Sequence, residues 1–190
     1  MSILPIVTYD DEVLRKEADS VEENTEELQK LIDDMFETMY NSNGVGLAAP
    51  QVGIAQRLFV ADVDPMLEEE ELEEKPRGPL ALINPEIVEK SGPDIELEEG
   101  CLSIPEVRDT VTRPRDITVT FRDRDFNRVQ LKATGWLSRV IQHETDHLNG
   151  VLFIDYLSSF RKRLQRGKLK DIKKGKMKTD YPLVPKEPVV

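Results

Sequence analysis

Gln142-His143-Glu144-Thr145-Asp146-His147-Leu148-Asn149-Gly150 holds both histidines of this 190-residue chain, in the pattern His-Glu-x-x-His. Residues four apart on an α-helix differ by about 40° around its axis, so His143 and His147 project from one face. Two neutral imidazoles at that spacing suit one divalent metal, and Glu144 beside them is placed to take a proton from an attacking water. An ordinary amphipathic helix gives no reason to gather every histidine of a histidine-poor chain at this spacing.

Outward from this stretch, Thr134-Gly135 opens the helix and Asn149-Gly150 ends it, with strand-like Val151–Ile154 beyond. Upstream, 117–122 and 129–133 alternate apolar and polar residues around the turn-like 123–127, which reads as a β-hairpin. Residues 24–42 carry apolar side chains at three- and four-residue steps, a helix capped by Asn24 and stopped by Asn43-Gly44. Strand composition returns at 56–62 and at 80–90, the latter interrupted at Pro85, while the glutamate-rich 66–78 reads as a solvated insertion. The expected class is α+β, with mixed or antiparallel sheets surrounding a central His-Glu-x-x-His helix, an N-terminal packing helix and a basic C-terminal helix and tail.

The length fits one catalytic domain over residues 1–157, followed by a basic helix and disordered tail over 158–190. The net charge of −11 is uneven: from Asp155 onward 11 basic residues stand against 4 acidic ones, whereas the preceding part carries 15 basic against 33 acidic. Such a tail is suited to an anionic partner. The N-terminal segment has neither a basic stretch followed by an apolar run nor a basic, acid-poor leader, and one cysteine cannot form an internal disulfide. A cytoplasmic protein with no membrane or DNA partner is expected.

A catalytic site of the zinc type takes three protein ligands and leaves one position open. No histidine follows His147, so a downstream ligand would be Asp155, Asp171, Asp180 or Glu187, the last three in or near the basic tail. Cys101, within Glu99-Gly100-Cys101-Leu102-Ser103, is the better candidate.

Three segments in order resemble one family, the peptide deformylases: Gly44-Val45-Gly46-Leu47-Ala48-Ala49-Pro50-Gln51, Glu99 to Ser103, and Gln142 to His147. The resemblance spans about residues 3–157. It implies hydrolysis of the formyl group from N-formylmethionine on nascent chains, with one divalent metal per chain, commonly Fe2+, with Zn2+, Ni2+ or Co2+ able to substitute. Cys101, His143 and His147 would be the ligands. Glu144 would be the general base, with Gln51 and the Leu102 N–H stabilising the oxyanion. Val45 and Gly46 would pair with the substrate backbone, and Trp136 and Val140 would line the methionine pocket. Arg139, on the same helix face, fits an apolar pocket poorly and would reach its rim or pair with Glu99. Two other readings compete: a His-Glu-x-x-His endopeptidase using a downstream ligand, and a metal-stabilised RNA-binding module, which would need neither Glu144 nor Gln51. An enzyme of nascent chains would gain from ribosome docking through residues 158–178, and truncation after Leu157 would leave turnover in solution unchanged.

Overall fold

Apolar alternation along the middle of the chain builds a five-stranded antiparallel sheet in the order β2-β3-β4-β5-β6, as seen in a computed structural model that describes residues 2–67 and 77–185. Its strands are β2 (Gly46–Ala48), β3 (Leu58–Ala61), β4 (Leu80–Cys101), β5 (Ile104–Arg122) and β6 (Arg128–Ala133). The expected hairpin pairs Ile117 with Ala133 and Arg122 with Arg128. The expected 80–90 strand continues to Cys101 and forms a long hairpin with β5, closed by the two-residue turn Leu102–Ser103. Pro85 is tolerated because it sits in a break of register between Ile83 and Glu86, where no ladder N–H is required. Asn84 takes a left-handed backbone there, and its side chain bonds the Val21 N–H at 2.9 Å and the Val21 carbonyl at 2.8 Å.

The stripe of residues 24–42 becomes α1 (Glu26–Asn41), burying Leu28, Ile32, Met35 and Met39 against β3 and its neighbours. Its cap is Thr25, whose side chain accepts from the Leu28 N–H, rather than Asn24. The site helix, α2 (Gly135–Leu148), packs against β2, β3 and β5 and buries Leu137, Val140, Ile141 and Leu148 with Phe59 and Val119. Residues 151–154 do not form a strand; Phe153–Tyr156 make a 3-10 turn instead, with Asp155 accepting from the Leu152 N–H.

From Ser158, whose side chain accepts from the Arg161 N–H, α3 (Ser159–Lys173) runs through Gly167 without breaking. Ile172 is fully buried with Leu14, Ile104 and Phe153. The disordered tail expected within 158–190 is corrected over 176–185. There β7 (Leu183–Val184) pairs in parallel with β1 (Ile6–Val7). Composition alone did not mark this, because the segment's apolar residues find their partners at the far end of the chain. Most of the acidic 66–78 insertion lies outside the described residues. Among the described residues, no helix is long and apolar enough to cross a membrane.

Candidate metal centre

The helical spacing does what it promised: His143 and His147 meet edge to face with ring centroids 5.0 Å apart. The β4–β5 hairpin brings its tip to them. One ligand atom from each of Cys101, His143 and His147 lies within 4.8 Å of the others, and Cys101 Sγ is 3.3 Å from His147 Nε2. Asp155, the nearest downstream alternative, is instead paired with Arg15 at 2.6 Å.

Glu99 fixes the orientation of His143. Its Oε2 accepts from His143 Nδ1 at 2.9 Å, which leaves Nε2 for the centre. Two guanidiniums hold Glu99 in turn. Arg113 makes a two-pronged contact at 2.6 and 3.0 Å, and Arg139 adds a bond at 2.9 Å. Burial alone would raise the Glu99 carboxyl, but the hydrogen bonds from His143 and Arg113 hold it well below the usual carboxylate range. Arg113 also reaches Asp146 at 2.7 Å and lies over the Tyr156 ring. Arg139 therefore points into the β4–β5 hairpin, bonding the carbonyls of Val111 and Ile95, and does not serve as a free charge in an apolar pocket.

Gln51 and Glu144 complete the cluster. The Ala48 N–H donates to Gln51 Oε1 at 2.8 Å, which turns the Gln51 amide so that Nε2 stands 3.4 Å from both Cys101 Sγ and Ser103 Oγ. Glu144 is buried, and burial pushes its carboxyl up to about 7, with His143 opposing. At His143, burial favours the neutral ring, but the bonds to Cys101 and Glu99 outweigh it and hold the group well above its ordinary value. His147, buried and beside His143, is driven well below. Glu144 Oε2 and His147 Nδ1 are buried with no partner among the described residues. One cysteine sulfur and two imidazoles that converge in this way are a donor set that fits one borderline-soft divalent cation.

The cluster opens into a cleft of about 660 Å3 bordered by Val45, Gly46, Leu102, Trp136 and Val140. β2 is a terminal strand of the sheet, and Gly46 at its start lies on one wall with Val45 before it. Every site residue expected from the sequence is thus near the cleft or its floor. Arg113 and Tyr181 were not foreseen. Arg113 is one of several arginines in an unremarked strand, and Tyr181 is a lone aromatic in a charged tail.

The profile of the polypeptide deformylase family matches residues 3–163. A peptide deformylase of Salinibacter ruber is 59% identical over 187 residues, covering 97% of this chain and 96% of that one. The crystal structure of the Ehrlichia chaffeensis peptide deformylase in complex with actinonin superposes with a TM-score of 0.83 at 43% identity, covering 94% of this chain and all of that one. That of Legionella pneumophila gives 0.80 at 44% identity, covering 90% and 96%. With the three motifs, the mixed α+β fold and the Cys-His-His cluster all in agreement, this chain belongs to the polypeptide deformylase family of metal-dependent hydrolases.

Proposed function

We propose that this chain removes the N-formyl group from the N-terminal formylmethionine of newly made polypeptides, with Cys101, His143 and His147 holding one divalent cation on α2, the helix at the centre of the surrounding strands. The observation that carries this reading is the convergence of those three donors beside Gln51 and Glu144 in a chain of the deformylase family. Fe2+ is the ion proposed, and Zn2+, Ni2+ and Co2+ suit the same donors. When bound, such a cation supplies Lewis acidity toward the formyl oxygen and makes water easier to deprotonate.

The chain's own residues do the rest. Glu144 takes a proton from the attacking water as its oxygen adds to the formyl carbon. It returns that proton to the amine as the C–N bond breaks, so formate and a free N-terminus leave. Charge on the former carbonyl oxygen is met by Gln51 Nε2 and the Leu102 N–H. Val45 and Gly46, at the edge of the sheet, pair with the substrate backbone, while Trp136 and Val140 contact the methionine side chain. Arg139 has no substrate role in this scheme and serves Glu99.

Formate release from formyl-Met-Ala-Ser by anaerobically purified protein, with metal analysis, tests the reading. Cys101→Ala, His143→Ala and His147→Ala should each lose metal and activity together. Glu144→Gln should keep metal and peptide binding yet lose about 10²-fold or more in turnover. Near-normal turnover in that variant would remove Glu144 as the base.

The same proposal places the protein in the cytoplasm, working beside the ribosome, with residues 1–157 as catalytic unit and 158–190 as an arm. One amendment follows from Ile172 and Tyr181. Truncation after Leu157 strips a buried core residue and a bond to the Leu102 turn, so turnover should fall rather than stay unchanged. The docking surface is the outer side of α3, where Phe160 and Leu164 are exposed among lysines and arginines.

A further inference from the structure

After α3 the chain returns to the catalytic cleft, and Lys178–Tyr181 border it alongside Gln51, Cys101 and His143. Tyr181 is fixed from its far side by the β1–β7 pairing, in which the Ile6 N–H donates to the Pro182 carbonyl at 2.8 Å and the Thr8 N–H to the Val184 carbonyl at 3.2 Å. Its ring is half-buried with Leu102 and the residues around α1. From there the Tyr181 hydroxyl donates to the Leu102 carbonyl at 2.8 Å. Burial, with Cys101 nearby, pushes this phenol well above its ordinary range, so it remains a donor.

Leu102 sits in a two-residue turn between paired Cys101 and Ile104, so its carbonyl has no partner in the β4–β5 ladder. The next residue is secured separately, its carbonyl by the Tyr9 N–H at 3.0 Å and its hydroxyl by Gln51 Nε2. The carbonyl and the N–H of Leu102 belong to successive peptide planes hinged at one Cα. Holding one plane restricts the direction of the other, and oxyanion stabilisation depends steeply on donor direction.

We propose that Tyr181 is a positioning residue for the reaction. By fixing the Leu102 carbonyl it aims the Leu102 N–H at the developing oxyanion, so a residue of the C-terminal arm sets the geometry of the hairpin tip. This rests on the deformylase reading above. Tyr181→Phe in the full chain removes the hydroxyl and keeps the ring. With formyl-Met-Ala-Ser, its kcat should fall about 3- to 10-fold, the worth of one hydrogen bond, while KM stays within about twofold. Metal content should match wild type, and Tm should drop by no more than the few degrees that one hydrogen bond is worth. Unchanged kcat overturns the proposal. So does a raised KM at unchanged kcat, which would make Tyr181 only a wall of the cleft. So does loss of metal or a larger fall in Tm, which would make it only a structural prop. Wild-type protein and Gln51→Ala are assayed beside it. An active wild type, with turnover lost on Gln51→Ala, keeps the deformylase reading intact even if Tyr181→Phe behaves as wild type, whereas an inactive, metal-loaded wild type overturns both.

Discussion

A Cβ built on Gly46 would overlap Glu144 Oε1 and stand 2.9 Å from Val140 Cγ1. The small residues of 44–51 suggest a backbone open to close approach, and the group that approaches Gly46 is the proposed base itself. Gly46→Ala should therefore displace the Glu144 carboxylate while the fold survives, because Gly46 has no left-handed backbone to strain. We expect turnover to drop about 10- to 100-fold with metal content retained, as kinetics and metal analysis would report. Added to Glu144→Gln, the substitution should cost little more, since both act on one group. Glu99 gives a second expectation. Glu99→Ala leaves the guanidiniums of Arg113 and Arg139 buried without their shared carboxylate, a loss of about 3–5 kcal/mol measurable by denaturant unfolding. It should also weaken metal binding about 10- to 100-fold through the freed His143 ring.

At the level of elements, α1 is pinned to the end of β3 by the Tyr40 hydroxyl, which donates to Asp62 at 2.7 Å. Partial burial and the Asp62 carboxylate push this phenol up to about 12 from an ordinary value of 10.0. A group whose folded value is raised adds stability that is fully present below its unfolded value and lost as pH rises through the folded one. Stability should thus decline between about pH 10 and 12, and Tyr40→Phe should flatten that limb in unfolding curves taken across the range. Elements with their own periodicity were legible in the sequence: α1, α2, the β5–β6 hairpin and the spacing of His143 and His147. The length of the β4–β5 hairpin was hidden by Ser91-Gly92-Pro93, whose turn-like composition is absorbed in a register shift between Ser91 and Asp94. The Cys101 ligand could be argued from the lack of a third histidine. The bond from Arg113 to Glu99 could not, because a salt bridge between strands leaves no local pattern. Val151–Ile154 misled because a short apolar run fits a strand and a buried turn equally well.

For the whole molecule, the charge asymmetry now has a shape. One side of α3 is tied down by Arg161 to Asp109, by Gln165 to the Arg108 carbonyl and by Lys168 to the Glu106 carbonyl. The triple change Arg163→Glu, Arg166→Glu and Lys170→Glu leaves those contacts in place. It should leave formyl-peptide turnover unchanged and remove salt-sensitive co-sedimentation with ribosomes. Undiminished pelleting at low salt would sink the docking idea. The β1–β7 pairing carries a different consequence. Its two strands come from opposite ends of the described chain, so closing it costs more loop entropy than forming any hairpin between them. Low-separation hairpins assemble early and such a clasp assembles late. It buries few side chains, so it is also the unit that opens without global unfolding, and the amide hydrogens of Ile6 and Thr8 exchange with solvent whenever it does. An enzyme for chains still being made therefore finishes its own assembly only when its last strand reaches its first.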